Sequence, residues 1–389
     1  MLSVTPKVRD FGFHINTVSE QIHEGRSEIL GHLFFEKVFG YQQRRLRQDL
    51  GDRYSRLRRR ASFACPMCRA RSFIRKGRRH RVYLSTVGKT KLPIVQVQCR
   101  SCGARFCPYK DRIGLAFDER ISYGLRVRQL SMTCHVPYQR ARGFAHLCLG
   151  VSCSPKRIRK DLDTTAQQIR QLPADAAGQV VYQDATKVKA GPKQRGVPIH
   201  VAITAQPNGQ RWGRNQMRKR LCFLRVASAS DIKASLRSLK AKGIVHDGEM
   251  NLSGCATGVQ RGLWHLAHQL KHYLWLDGIS SKYKGPYVKE LIDVLYDSKT
   301  SDTLKTRYRQ FTEKLKAQNL INSFTHLQGA QKELSVSRKM HFDYHTTAPV
   351  EREMREINRR ADIGARWSVQ GIENLLLVKT WCRLNQPKE

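Results

Sequence analysis

Gln179-Val-Val-Tyr-Gln-Asp184-Ala-Thr-Lys-Val188, with its continuation down to Gly243-Ile-Val-His-Asp247-Gly248, is the stretch that decides the fold. Val180 to Tyr182 is a short β-branched and aromatic run that places Asp184 just past its end. Ile199 to Ala205 and Leu221 to Ala227 read as two more strands, with Pro207-Asn208-Gly209 as the turn signal between them. Asp231 to Lys242 has helical spacing: Ile232, Leu236 and Leu239 share a face, and Asp231 suits a cap or first turn. Ile244-Val245 is a buried-type strand, followed by Asp247. The order strand, strand, strand, helix, strand predicts an α/β fold. If the first and fourth strands are parallel neighbours, Asp184 and Asp247 meet at one edge, where hard divalent cations find the oxygen ligands they need.

Working outward, the 389 residues are 40% hydrophobic, enough for two or three cores at about 100–200 residues per domain. Seventy-one lysines and arginines against 31 acids leave a net charge of +40 and a pI of 10.3. That excess points to a polyanionic partner, and a DNA duplex offers a phosphate charge roughly every 1.7 Å. A membrane partner is not expected: there is no run of about 18 apolar residues and no basic amphipathic helix with an aromatic face. Met1 to Asp10 has no apolar core behind its charges, so no secretory leader is expected. Eleven cysteines in that setting read as reduced thiols or metal ligands.

Residues 1–60 form a basic N-terminal segment. Ile22, Ile29, Leu30, Leu33 and Phe34 fit one helix face, and Tyr41 to Arg60 is arginine-rich. Arg44, Arg45, Arg58, Arg59 and Arg60 are candidate phosphate contacts, with a solvated helix face as the alternative. Residues 61–112 carry Cys65-Pro-Met-Cys68 and Cys99-Arg-Ser-Cys102, two Cys-x2-Cys knuckles with the spacing of a zinc ribbon. A hairpin fits between them, Arg81-Val-Tyr-Leu84 against Ile94-Val-Gln-Val97, turned at Val87-Gly88-Lys89. A structural Zn²⁺ on four thiolates would hold a unit too small for a good apolar core. The other reading is four incidental reduced thiols. Cys107 is taken as a bystander.

Residues 113–175 read as helical. Tyr138 to Leu149 is amphipathic, Ser154-Pro155 is a cap followed by a first-turn proline, and Lys156 to Ile169 continues as a helix with Arg157, Arg159 and Lys160. Joined by Gly150-Val-Ser-Cys153, the pair is helix-turn-helix-like, which suits DNA binding and plain packing alike. Cys134, His135, His146, Cys148 and Cys153 lack regular ligand spacing and read as packed side chains.

Residues 176–389 hold the acids, with a lysine-rich helical insertion at about 256–340 whose core candidates include Leu291, Val294 and Leu295. Gln260-Arg261-Gly262-Leu263-Trp264-His265-Leu266 is placed on a histidine-rich helix on which His265 and His268 share a face. Further on, Pro349 suits a first helical turn, so Glu351 sits near a helix N-terminus and can point at the edge that carries Asp184 and Asp247. Glu353, Glu356 and Glu373 compete with it. Glu373, in an apolar helix, is the reserve.

Asp184 after the first strand, the Asp247-Gly248 pair, Gln-Arg-x-x-Trp-His, and the ending Val-Glu-Arg…Asn-Arg-Arg…Gly-x-Arg-Trp-Ser together resemble prokaryotic insertion-sequence transposases, in particular the Mutator-related DDE group and its zinc-ribbon-bearing relatives. Cys99-x2-Cys-Gly-x-x-Phe-x-Pro108 is similar to those relatives as well. The likeness covers most of residues 60–378, by short motifs. It implies an RNase H-like catalytic domain with a helical insertion between the last two acids, and Asp184, Asp247 and Glu351 as the triad. It also implies two Mg²⁺ or Mn²⁺ ions per site and double-stranded DNA, as terminal repeats and target, for a partner. A homodimer or larger synaptic complex and a place in the prokaryotic cytoplasm at the nucleoid follow from it too. Gly262 stands where this group usually has a cysteine, so of the Cys-x2-His motif only His265 carries over. Two other functions compete: a DNA-binding regulator derived from a transposase but without turnover, and another RNase H-like nuclease such as a junction resolvase.

Overall fold

The computed structural model describes residues 27–50, 61–85, 88–108, 121–174, 176–193, 195–211, 214–361 and 366–385. Arg58, Arg59 and Arg60 lie outside the described residues. The chain divides into two units, Met1–Asp161 and Leu162–Glu389.

In the first unit, helix α1 (Ser27–Leu50) precedes an antiparallel sheet ordered β1-β2-β3, made of Phe73–Ser85, Gly88–Cys99 and Arg105–Phe106. The hairpin is longer than the apolar runs suggested. It pairs from Phe73 opposite Cys99 to Ser85 opposite Gly88, because backbone pairing extends beyond the apolar runs and resumes after a register shift between Arg75 and Arg78. Its small core stacks Phe63 on Phe73 at 4.6 Å and sets Phe106 edge-on to Phe73 at 5.4 Å, with Leu46, Val95 and Val97 buried around them. Three helices follow: α2 (Tyr123–Thr133), α3 (Tyr138–Leu149) and α4 (Pro155–Gln171). Gly150, at φ 65°, ends α3 in the left-handed conformation that a Cβ disfavours. The Ser154 hydroxyl accepts from the Arg157 N–H at 3.3 Å, capping α4 as expected. Leu125, Val151, Cys153 and Ile158 form the shared core. Arg126 grips Asp161 with two hydrogen bonds of 2.8 and 3.0 Å, and Gln129 Oε1 accepts from the Cys153 N–H at 2.7 Å. The division between units falls inside α4, after Asp161. The second half of the helix is tied into the second unit: Asn374 donates to Asp163 at 2.8 Å and Arg170 pairs with Glu373 at 2.9 Å.

The second unit is a mixed α/β sheet of five strands, β4 (Val180–Ala190), β5 (Arg195–Arg211), β6 (Arg214–Arg225), β7 (Gly243–His246) and β8 (Gly258–Arg261), in spatial order β6-β5-β4-β7-β8. β6, β5 and β4 are antiparallel to their neighbours, whereas β4, β7 and β8 run parallel. Helix α5 (Ala229–Ser238) makes the crossover into β7. Ser228 caps it by accepting from the Asp231 N–H at 3.2 Å, and Ile232 and Leu236 are buried beneath it. Two expectations change here. Pro207-Asn208-Gly209 is not the turn: it lies within β5, where the register with β6 shifts between Pro207 and Gln210, so the signal marks a bulge. β8 was not foreseen, since its four residues lack an apolar run, and residues 258–261 therefore belong to the sheet and not to the helical insertion.

The insertion starts at α6 (Leu263–Leu276) and continues through α7 (Lys284–Tyr296), α8 (Ser301–Ala317), α9 (Ile321–Ala330) and the short α10 (Val336–Lys339). Leu266, Leu270, Leu291, Leu295, Tyr308 and Phe311 pack its core, with Val294 among them. The chain returns to the sheet through Phe342, which fills the space a side chain on Gly243 would need: a Cβ there would lie 2.0 Å from the ring. α11 (Ala348–Ala361) packs on β4, and α12 (Val369–Asn385) on β6. No described helix is long and apolar enough to cross a membrane.

Candidate metal centre and acidic site

The Sγ atoms of Cys65, Cys68, Cys99 and Cys102 all lie within 4.8 Å of one another. Two similar turns bring them there. The Arg69 N–H donates to Cys65 O at 2.9 Å, and the Gly103 N–H to Cys99 O at 3.0 Å. Arg69 and Gly103 hold the same left-handed position, at φ 58° and 72°. Across the turns Cys65 faces Cys102 at 3.6 Å and Cys68 faces Cys99 at 3.5 Å. The N–H groups of Cys102 and then Ser101 favour the thiolate of Cys99 and pull its pKa down to about 6, against the opposing effect of desolvation. Four converging sulfurs, with Cys65 as well as Cys99 biased towards thiolate, can hold a tetrahedral Zn²⁺. Cys107 is not part of the group. Cys134 and Cys153 are buried, as expected for packing, whereas His135, His146 and Cys148 are exposed and are not packed side chains; among the described residues no second set of three or more ligands gathers as closely.

The second site lies where β4 and β7 run side by side. Gln183 is opposite His246, so the next residues, Asp184 and Asp247, come together. Asp184 is not past a strand end, as its short apolar run implied. β4 continues to Ala190, because Thr186 to Ala190 keep pairing with β5. Asp247 does follow its strand. Both carboxylates are buried, 7% and 5% exposed. Burial, then the charge of Asp247, pushes Asp184 up to about 8, although the Ala185 N–H donates to it at 2.8 Å. Glu249 is raised as well, by burial and then by Asp247. Burial lowers both His200 and His265, overriding the pull of Asp247, so neither imidazole supplies a positive charge at neutral pH. A buried, oxygen-rich, like-charged pair of this kind suits a hard divalent cation.

Glu351 sits in the first turn of α11, as foreseen, where Pro349 fills an early helical position. Its carboxylate is 39% exposed and lies 3.8 Å from His265 Nε2. It adds to the negative field on Asp184, yet the three carboxylates do not gather within 4.8 Å of one another as the thiols do. The competing acids have other tasks. Glu353 pairs with Lys219 at 3.2 Å and with Arg383, and Glu356 with Arg359 at 2.8 Å. Glu373 pairs with Arg170, so an arginine accounts for the carboxylate that seemed unemployed in an apolar helix.

Around Asp247 the structure adds a brace that sequence reading missed. Glu333, between α9 and α10 late in the insertion, accepts from Arg261 Nε at 3.1 Å and lies 3.3 Å from Nε2 of His246, which is fully buried. Arg261 in turn donates to Gly248 O at 3.0 Å. Gly248 has φ 94°, and a Cβ there would stand 1.6 Å from the Arg261 guanidinium, so only glycine lets the brace close. Gln269 donates to Asp247 O at 3.2 Å. The loop that presents Asp247 is thereby fastened on both sides. Arg261 lies on β8 and not on the histidine-rich helix, which starts at Leu263. His268 stacks on Trp264 at 3.8 Å, while His265 faces Glu351. Nothing local marked Glu333, whose value comes only from where the insertion places it. Arg261 stood in a quoted motif, and the glycine after Asp247 was the available signal for a close approach.

Of the candidate DNA contacts, Arg44, Arg159 and Lys160 have exposed side chains. Arg45 is half-buried and donates to the Tyr41 hydroxyl at 3.3 Å, and Arg157 pairs with Asp161 at 3.0 Å. Compared with models of protein families the chain matches none, and it matches none of the curated proteins.

Proposed function

We propose that this chain is an insertion-sequence transposase of the DDE type, with an RNase H-like catalytic domain, that binds the ends of its element and cuts and joins DNA strands with divalent metal. The observation that carries the reading is the pair Asp184 and Asp247, both buried and brought together on adjacent parallel strands. Strand order supports the fold assignment: three antiparallel strands, with the first of them central, then two parallel ones. Net charge supports the partner. Two Mg²⁺ or Mn²⁺ ions held by Asp184, Asp247 and Glu351 would supply activation of a water or DNA 3′-hydroxyl and neutralise charge at the leaving oxygen. The chain's own groups do the positioning. Asp184 and Asp247 form a rigid floor, fixed by β4 and by the Glu333–Arg261 brace. Glu351, on a helix end and part-exposed, closes onto that floor from the side. Neutral His265 beside Glu351 can accept a hydrogen bond from the nucleophile or donate one to the scissile phosphate. Basic segments such as Arg44, Arg159 and Lys160 hold the phosphate backbone, and synapsis of two DNA ends calls for at least a dimer.

The test is cleavage and strand joining on duplexes carrying the terminal repeats that flank the gene, in Mg²⁺ and Mn²⁺, with wild type beside Asp184→Asn. The expected loss is about 10³-fold or more with DNA binding retained, as removal of a metal ligand forfeits several kcal/mol of transition-state stabilisation. Metal-dependent cutting retained by the variant rejects the triad. One observation favours a second reading, a DNA-binding protein without turnover: Glu351 stands apart from the aspartate pair. On that reading both proteins bind the repeats and neither cuts.

A further inference from the structure

We infer that the outer strand of the cysteine hairpin, β1 from Lys76 to His80, is a phosphate-binding edge that tracks the backbone of duplex DNA; this rests on the DNA reading above. The first observation is charge. Residues 61–108 contain eleven lysines and arginines and no aspartate or glutamate. A zinc ion on four thiolates would bring only two negative charges to that total. This module cannot neutralise itself, and a polyanion that displaces its counter-ions gains affinity from doing so.

The second observation is placement. β1 lies at the edge of the three-stranded sheet, and β2 takes the packing. Ile94, Val95 and Val97 on β2 are buried, and Gln42 of α1 accepts from the Val95 N–H at 2.9 Å. Lys76, Arg78, Arg79 and His80 on β1 are all exposed. Strand geometry alone would send alternate side chains to opposite faces. Here the register shifts between Arg75 and Arg78, and Gly77 adopts φ 80° within the shift, a bulge that bends the strand and re-aims the side chains beside it.

The third observation is that the strand is fixed at both ends. Phe73, at its start, packs between Phe63 and Phe106 beside the cysteine turns. Near its other end the Ser122 N–H donates to Leu84 O at 2.7 Å. The cations therefore sit on a pre-positioned ribbon, which lowers the ordering cost of binding. Charge on an edge strand also discourages edge-to-edge pairing. That need is met by one or two lysines, whereas five of the seven residues from Arg75 to Arg81 are lysine or arginine.

The experiment measures binding of the full chain to a labelled mixed-sequence duplex from about 50 to 200 mM NaCl, for wild type and for Lys76→Gln/Arg78→Gln/Arg79→Gln. Each lost phosphate contact removes about 0.9 from the slope of log K against log salt, so the triple variant should flatten it by about 2.7 with its zinc content unchanged. Should the triple variant lose zinc, the three single variants decide, each with an expected change of about 0.9. Arg78→Lys/Arg79→Lys should keep the wild-type slope, because a phosphate asks for charge and not for a guanidinium fork. A zinc-loaded glutamine variant with the wild-type slope overturns this assignment while leaving the DNA reading in place. A wild-type chain that binds no duplex overturns both. Flattening seen only on single-stranded RNA rejects DNA as the partner of this edge.

Discussion

The cysteine centre and the acidic site gather ligands by opposite routes. Each cysteine pair sits on its own short turn, closed by a hydrogen bond back to the first cysteine, so half of the centre forms within a handful of residues. One hairpin then joins the halves. Asp184, Asp247 and Glu351 come instead from a central strand, a strand end on the far side of a crossover, and a helix beyond the whole insertion. The thiols converge to within 4.8 Å, while the carboxylates stay apart, except for the two that share a strand neighbour. Attraction accounts for part of the difference. Thiols share hydrogens and tolerate proximity, whereas buried carboxylates repel and raise one another's pKa. The cysteine centre thus depends on local sequence, and the acidic site on topology and a brace.

The largest expected effect separates the two routes. Cys99→Ser should abolish stoichiometric zinc binding and unfold residues 61–108, since binding of about 10–16 kcal/mol is the scale on which small zinc modules fold. Leu162–Glu389 has its own core and should melt as before. Zinc analysis with calorimetry reads both. A hairpin that stays folded without metal would break the contrast, because the Phe63–Phe73–Phe106 core would then suffice.

Next is the brace. Glu333→Gln leaves the Arg261 charge and the buried His246 without their carboxylate, and removing one partner of a buried pair costs about 3–5 kcal/mol. The part-exposed surroundings of Glu333 place the expected loss at or below the low end of that range. Because Arg261 also holds Gly248 O, Mg²⁺ affinity should fall about 10–100-fold, as it does when outer supports of metal ligands are lost. Thermal midpoint in chelator and Mg²⁺ titration by calorimetry measure the two effects separately. A loss of stability with Mg²⁺ affinity intact would make Glu333 a fold residue only.

The two routes also explain what the sequence disclosed. Cys-x2-Cys spacing is a local geometric statement, and it placed all four sulfurs. The helix Tyr138–Leu149 was legible to the residue, because Gly150 and its apolar spacing are local too. Asp184 and Asp247 were paired correctly from strand order, but Asp184 was set at a strand end, since strand pairing with β5 carries β4 past its apolar run. β8 escaped notice because four residues are too few for a pattern, and Pro207-Asn208-Gly209 misled because bulges and turns use the same residue types. The task of Glu373 could not be read at all: Arg170 is about two hundred residues away in sequence. Glu333 was invisible for the same reason. Long-range ion pairs leave no periodicity in the chain.

The smallest effect has the opposite sign, and for that reason it discriminates best. Asp247→Asn puts a neutral amide of nearly the same shape beside Asp184. The backbone contacts of the loop are untouched: the Gln269 bond goes to the main chain, and the Glu249 N–H can still donate to the amide oxygen. What disappears is the negative charge that, after burial, does most to raise Asp184. In chelator the variant should therefore be more stable than wild type by about 1–2 kcal/mol, some 2–4 °C per kcal/mol for a unit of this size. Added Mg²⁺ should raise the wild-type midpoint and leave that of the variant where it was, because the charge that attracts the ion is halved. A site selected for stability loses stability when a ligand is removed, as the cysteine centre must. A site selected for chemistry holds its ligands together against their repulsion, and gains when one is neutralised. Scanning calorimetry of the two variants side by side, Cys99→Ser falling and Asp247→Asn rising, reads that difference directly. If both fall, the carboxylates are structural hydrogen-bonding partners and the acidic site has no catalytic claim.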